Sequence, residues 1–459
     1  MIFSSHIPDI PSDNPFVNDL LDREQYADVL TSLIDTSKKG FTMSINATWG
    51  YGKTTFIRMW EAKLRAQGYS TVYVNAWEKD YIDNPFAAVM ATIWSQTMKD
   101  SEHIKTPSKV IQTLGDIASK IIAHHYIGEP ARKAIIKGLC NKVQNPYAIE
   151  SYIEQIKYIE KFREQLSVYV NELQSQSENA KNKLIIFVDE LDRCKPTYAV
   201  EMLERIKHLF SIDNVVFVLA VDQTVLQESI KGFYGSSNIS AENYLRRFID
   251  IEYCLPDPSI DNFIEFQVKY HELDQYISNH TPNPFLTHDK TNYSVLFKDI
   301  VDIFFNAISC SLRDIEKYFN RLECVIRTLK VDRGAFFVSV FLTYTYMFKK
   351  DIYHNITEFK YADAELLHTI EDLLIIGKIP LNTDNGQLAI GIMMELVLIY
   401  RTALELQHIE DDNRITELSL FESNHLINLN SVNVFGNDYK PRVQLNQYIN
   451  KIELTEAIQ

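Results

Sequence analysis

Two groups of residues have the types and spacing for phosphoryl chemistry. The first is Gly52-Lys53-Thr54-Thr55, preceded by Trp49-Gly50-Tyr51. In a turn of this kind successive backbone N–H groups cradle phosphate oxygens, and a helix starting there adds the positive end of its dipole. Lys53 can reach the outer phosphates, and the Thr54 hydroxyl suits Mg²⁺. Trp49, Gly50, Tyr51, Gly52, Lys53, Thr54 and Thr55 are therefore the candidate nucleotide-binding residues. The second group is Asp189-Glu190, which closes the apolar run Leu184-Ile185-Ile186-Phe187-Val188. Asp189 would hold Mg²⁺, directly or through water, and Glu190 would polarise the attacking water.

The elements that must position these groups follow from the pattern around them. The β-forming residues Phe41, Met43 and Ile45 lead into the loop, and a helix runs from Thr54 to Ala66, giving strand, phosphate-binding P-loop and helix in order. The run 184–188 is too short for a helix and suits a strand buried on both faces, which puts its terminal carboxylates where open α/β sheets bind ligands. The loop pattern G-x-x-x-x-G-K-[ST] asks for Gly at position 47, where this chain has Ala47. If the backbone there needs positive φ, Ala costs roughly 1–2 kcal/mol, and Gly50 is the alternative source of freedom.

Three further sites have two readings each. Asp222 ends a third buried strand, Asn214 to Val221; it can sense the outermost phosphate or cap the next helix. Arg246 and Arg247 precede a β-like run, Ile249 to Leu255; they can be structural, or Arg247 can meet charge on a transferring phosphoryl group. Arg313, in the first turn of a helix over 312–329, can reach a nucleotide or pair on the surface with Asp314 or Glu316. Asp192 is a candidate cap for a helix from Pro196 to Phe210.

The 459-residue length predicts two or three domains. The content of 46% apolar and 23% charged residues is that of a globular protein, and the formal charge of −15 gives no general pull toward nucleic acid or anionic membrane. A basic patch around Arg132, Lys133, Lys137 and Lys142 reads as a solvated helix face. The five cysteines are scattered and odd in number, without a C-x-x-C pair, so they read as free thiols in a reducing cytoplasm and not as a zinc or disulfide framework. No signal peptide is expected. The apolar stretches Gly334–Phe348 and Leu388–Tyr400 fall short of the roughly 20 residues of a membrane span and read as buried helices. Helical spacing covers 22–34 (Tyr26, Val29, Leu30, Leu33, Ile34) and 152–173, the latter as a helix on the sheet or a short coiled-coil seam.

Taken together the motifs resemble the KAP family of P-loop NTPases, over roughly residues 15–330. Trp49-Gly50-Tyr51-Gly52-Lys53-Thr54 is similar to the family's W-G-x-G-K-[ST], and Asn75-Ala76-Trp77 to its N-x-W. Asp189-Glu190-Leu191-Asp192-Arg193-Cys194 is similar to its Walker B, D-D-L-D-R-C. Ala220-Val221-Asp222 and Arg313-Asp314-Ile315-Glu316-Lys317 match its A-V-D and R-D-I-x-[RK]. Glu190 replaces the usual second Asp and favours hydrolysis. Arg246/Arg247 stand where Lys is commoner, and no membrane spans lie between the two Walker motifs.

The resemblance implies an α/β fold: a P-loop NTPase with a parallel sheet of order 5-1-4-3-2 flanked by helices, then an α-helical lid and an α-helical C-terminal region. The expected division is an arm and helix at 1–40, the core at 41–256 with a helical insertion at about 83–180, the lid at 257–330 and a helical domain at 331–459. The implied cofactors are ATP and Mg²⁺. The implied partners are further copies of the chain and partner proteins of a phage-defence system, without a membrane span. The residue reading gives an ATPase driving a conformational or assembly switch, with Lys53, Glu190, Asp222, Arg247 and Arg313 as catalytic candidates. Its alternatives are a weakly hydrolysing nucleotide-binding scaffold that signals by oligomerising and, less favoured, a small-molecule kinase, which has no need of Glu190.

Overall fold

The computed structural model describes residues 9–101 except 83, 110–119, 146–173, 180–209, 212–235, 239–273, 275–276, 293–306, 308, 310–329 and 333–362, and then 365–366, 368–370, 372, 396, 400 and 445–454. The chain divides into two compact units, Ile7–Pro258 and one beginning at Ser259.

In the first unit the strands form where β-branched and aromatic residues run together. They are β1 (Phe41–Asn46), β2 (Ser70–Asn75), β3 (Leu184–Asp189), β4 (Val215–Val221) and β5 (Ile251–Cys254). All pairings are parallel, in the order β2-β3-β4-β1-β5. Read from the β5 edge this is 5-1-4-3-2, the expected order, with β4 between the P-loop strand and the strand that ends in Asp189. Every residue of β3 and β4 is buried, which is why these two carry no polar alternation. Edge strand β5 alternates between half-buried and exposed positions.

Alternate side chains of the strands build two cores. Met43, Ile45, Ile185, Phe187, Val216 and Val218 face one side, under α1 (Glu24–Thr36) and α2 (Lys53–Ala66). Val72, Val74, Ile186, Val188, Phe217 and Leu219 face the other, against α4 (Pro85–Ser101), α5 (Pro146–Leu173) and α6 (Pro196–Leu209). Each fully buried side chain of this kind contributes about 1.5–3 kcal/mol. The α5 residues Phe162, Leu166, Tyr169 and Val170 lie in the second core, so this helix packs on the core as an ordinary amphipathic helix. In α1, Leu30 and Ile34 are buried but Val29 is 62% exposed, a correction to its predicted place on the apolar face. At Gly40 an added Cβ would stand 2.1 Å from the Ile212 carbonyl oxygen, so only glycine admits the approach of the chain to β4.

The second unit is helical. Its α9 (Ile260–Tyr270), α10 (Tyr293–Asn306), α11 (Leu312–Leu329), α12 (Arg333–Phe348), α13 (Lys350–Thr357) and α14 (Leu445–Leu454) follow apolar residues at helical spacing. Helix α11 buries Ile315, Tyr318, Phe319 and Leu322, packing on both α12 and α14. The stretches expected as separate lid and C-terminal domain thus contribute to one compact unit. The apolar run ending at Phe348 is the buried helix α12. The basic residues 132–142, Cys140 and most of 388–400 lie outside the described residues. No described helix is long and apolar enough to cross a membrane.

Candidate nucleotide site at the carboxyl edge of the sheet

The parallel registers Asn75↔Asp189↔Ala220 and Asn46↔Val221 bring the ends of β2, β3, β4 and β1 to one edge. The loop 47–52 leaves β1 there and enters α2 at Lys53. Gly50 and Gly52 both have φ of 79°, a left-handed conformation that other residues adopt at a cost. Ala47 is not among the positive-φ residues. Its N–H donates to the Val221 carbonyl at 3.3 Å, so the missing glycine leaves no strain in the loop.

Lys53 is buried, and its ammonium donates to the Ala47 carbonyl of its own loop. Burial holds its pKa below the ordinary lysine value, against the opposing charges of Asp192, Asp222 and Asp189. Thr54 follows in the first turn of α2, near enough to Asp189 to favour its charged form. Thr55 is half-buried beside it.

Asp189 is 1% exposed. One carboxylate oxygen accepts from the Tyr73 hydroxyl at 2.8 Å and the other from the Glu190 N–H at 2.8 Å. Burial raises its pKa above the usual carboxylate value, and the donors Tyr73, Thr54 and the Glu190 N–H oppose that rise. Burial likewise raises Tyr73, so it stays a phenol donor to Asp189 at any ordinary pH.

Glu190 stands at φ 61°, a left-handed position that turns the chain out of β3 into the 3₁₀ turn Leu191–Arg193. Its Oε2 accepts from Asn75 Nδ2 at 3.0 Å, and its Oε1 pairs with Arg193 at 2.7 Å. Asn75 also caps the short helix α3 (Ala76–Lys79) through its Oδ1. The buried Asp192 carboxylate accepts from the Trp49 indole N–H. Its predicted use as a helix cap gives way to this bond, because the 3₁₀ turn aims it at the P-loop.

Asp222 is the N-cap of α7 (Gln223–Tyr234), accepting from the N–H groups of Thr224 at 3.1 Å and Val225 at 3.4 Å. Of its two readings the cap is formed, while its charge also bears on Lys53. Tyr51 offers its carbonyl to the buried Arg23 at 2.7 Å, and Arg23 also donates to the Pro256 carbonyl at 3.3 Å.

The structure does not bring Arg247 to this edge. It follows α8 (Ala241–Leu245) and precedes Asp250, whose N–H donates to the Thr42 carbonyl at 2.8 Å near the start of β1. Arg247 is therefore exposed at the amino edge of the sheet, the far end of the strands from Lys53. Its neighbour Arg246 pairs with Glu242. Arg313 belongs to the second unit, exposed in the first turn of α11, where Asp314 accepts from the Ser311 N–H and hydroxyl.

Four contributors carried no assigned role in the sequence reading: Tyr73, Asn75, Arg193 and Arg23. Tyr73 and Asn75 lie on the β2 face and end that only the β2–β3 register brings beside Asp189 and Glu190. The D-E-L-D-R run did contain Arg193, but its pairing needs the 3₁₀ turn.

A parallel sheet in this order, a glycine loop opening a helix at Lys53-Thr54, and a carboxylate pair two strands away define the P-loop NTPase class. The family model of the KAP family P-loop domain matches residues 23–329, and the chain belongs to that family. A curated relative, the phage T7 exclusion protein of Escherichia coli (strain K12), is 21% identical over 304 residues; the match takes in 62% of this chain and 39% of that protein, well under half of its length. Among solved structures, the Aeropyrum pernix ORC2 protein in ADPNP-ADP complexes is similar with a TM-score of 0.34 at 13% identity, over 78% of this chain and 76% of that one.

Proposed function

We propose that the chain is an ATPase that uses Mg²⁺ and couples hydrolysis to a conformational or assembly switch in a cytoplasmic defence against phage. The observation that carries the catalytic part is the buried Asp189, held by Tyr73 and the Glu190 N–H at the carboxyl edge of the sheet where the loop enters α2 at Lys53-Thr54. The hydroxyl and carboxylate oxygens of Thr54 and Asp189 are the hard donors Mg²⁺ takes, and Tyr73 leaves Asp189 fixed for that purpose. When bound there, Mg²⁺ would offset charge on the outer phosphates.

The chain's own residues do the rest. The N–H groups around Gly50–Thr55 bind phosphate oxygens, and Lys53 exchanges the Ala47 carbonyl for an outer phosphate, whose negative charge offsets the burial of the ammonium. Glu190 accepts a hydrogen bond from the attacking water and takes up its proton as the new oxygen–phosphorus bond forms and the bond from the outermost phosphorus to the departing ADP oxygen breaks. Asn75 and Arg193 orient that carboxylate. In this reading Arg247 acts on the site of a second copy. The defence role is supported by the likeness to the phage T7 exclusion protein, and the cytoplasmic setting by the free thiols of Cys194, Cys254, Cys310 and Cys324.

The test is Glu190→Gln. Hydrolysis should fall about 10²–10⁴-fold while nucleotide still binds. Wild-type turnover by this variant would remove Glu190 from the mechanism and make Asp192 the next base to test. Single-turnover hydrolysis compared with mass measurement with and without nucleotide separates this reading from a non-hydrolysing scaffold.

A further inference from the structure

We propose that Arg193 is the positioning residue of Glu190 and that Trp49 makes its placement depend on the state of the phosphate loop. The proposal deepens, and rests on, the reading of Glu190 as the water-polarising carboxylate.

Trp49 and Trp77 are 43% and 51% exposed, so core packing does not account for them. Between them lies the Arg193 guanidinium, 5.9 Å from the Trp49 ring centre and 5.6 Å from that of Trp77. The same guanidinium pairs with Glu190 Oε1 at 2.7 Å. A planar guanidinium can stack by its face on an aromatic ring while its edge N–H groups engage a carboxylate, a combination the compact lysine ammonium cannot reproduce. The rings come from different elements. Trp49 is in the phosphate loop; Trp77 follows Asn75, whose amide holds the other Glu190 oxygen at 3.0 Å.

The loop end of this chain is fixed as well. The Trp49 indole N–H is bonded to Asp192, next to Arg193 in the 3₁₀ turn, so the ring is tied to the turn that follows Glu190. On the other side, Lys53 holds the Ala47 carbonyl two residues before Trp49. A phosphate that draws the Lys53 ammonium away releases that carbonyl. The loop then settles on the phosphate, Trp49 moves with it, and Arg193 moves relative to Glu190. Phosphate occupancy at the loop thereby sets the orientation of the carboxylate across the site.

The experiment uses the full chain labelled with 5-fluorotryptophan, whose four tryptophans give four fluorine resonances. Those of Trp49 and Trp77 are assigned by Trp→Phe substitution, and the buried Trp60 reports that each variant is folded. Saturation with a non-hydrolysable ATP analogue and Mg²⁺ should move both the Trp49 and Trp77 lines in the wild type. In Arg193→Gln the Trp49 line should still move and the Trp77 line should stay at its free position. In the same variant kcat should fall about tenfold or more with KM within about twofold. The proposal is overturned if the Trp77 line moves in Arg193→Gln as it does in the wild type, if neither line moves in the wild type, or if the loss appears in KM instead of kcat. A wild-type chain that binds the analogue without hydrolysing ATP would refute the reading of Glu190, while the fluorine lines would still decide whether Arg193 joins the loop to Trp77.

Discussion

The Tyr73 hydroxyl donates to the Asp189 carboxylate at 2.8 Å, joining β2 to the end of β3. Asp189 also takes the Glu190 N–H, yet burial still raises its pKa. These donors do not fully replace the water that an ionised carboxylate loses.

That balance predicts a stability gain from a variant that destroys activity. A carboxylate whose pKa is raised in the fold contributes stability below its unfolded value, and that contribution is lost as pH rises through the folded value. Above the folded value that contribution is gone, and the buried carboxylate weighs against the fold. Without nucleotide and Mg²⁺, Asp189→Asn should melt higher than the wild type at pH 7, by about 2–4 °C for each kcal/mol recovered. The difference should shrink to nothing as pH falls below about 3.9, where the unfolded Asp is also protonated. Melting curves from pH 3.5 to 8 decide it; a gain that persists at the acid end would assign the effect to something other than charge burial.

Loop geometry predicts contrasting results at two small residues. Gly52 has φ 79°, so Gly52→Ala should cost roughly 1–2 kcal/mol and lose nucleotide binding along with it. Ala47→Gly restores the common loop pattern at a position that needs no positive φ. Its nucleotide Kd should stay within about twofold of the wild type, with a small loss of stability from the freer unfolded chain. Calorimetric titration with an ATP analogue measures both, and a large affinity gain in Ala47→Gly would mean the bound loop turns at residue 47.

Asn75 predicts a separation of chemistry from binding. Its amide N–H₂ orients Glu190 and its carbonyl caps α3. Asn75→Ala should lower kcat by up to about 10²-fold through misplacement of the carboxylate, with nucleotide affinity nearly unchanged. Loss of the cap should cost about 1 kcal/mol of stability. Asn75→Asp keeps a capping oxygen but sets a carboxylate against Glu190, so it should retain the cap and still lose the rate. Equal rates in all three proteins would show that Asn75 serves only the helix.

Much of this site was legible from residue type alone. The runs of β3 and β4 are apolar throughout because both faces are covered, so their ends, and Asp189-Glu190 with them, could be read directly from the sequence. Lys53 and Thr54 were legible because the glycines confine the loop. Partnerships set by register or by a single turn were not. Tyr73 reaches Asp189 only through the β2–β3 pairing, and Asp192 turns to Trp49 only because Glu190 adopts φ 61°. Arg247 was legible in a different way: a residue that precedes a strand of a parallel sheet lies at the amino edge, away from the loop that leaves the end of β1.

The position of Arg247 leads to the last prediction. At the amino edge of the sheet it cannot reach the phosphate loop of its own core, because the full length of β1 separates Thr42, near Arg247, from Asn46, beside the loop. A finger role therefore requires a second copy. If Arg247 serves that role, specific activity should rise with protein concentration, and Arg247→Ala should remove the rise while leaving nucleotide binding intact. The loss of an arginine finger is worth about 10³–10⁵ in rate. Arg247→Ala and Glu190→Gln should each be inactive alone, but mixed they should regain part of the activity. The restored sites take Glu190 from one copy and Arg247 from the other. Inactive mixtures that nonetheless assemble, seen by light scattering, would confine Arg247 to a structural part at the amino edge.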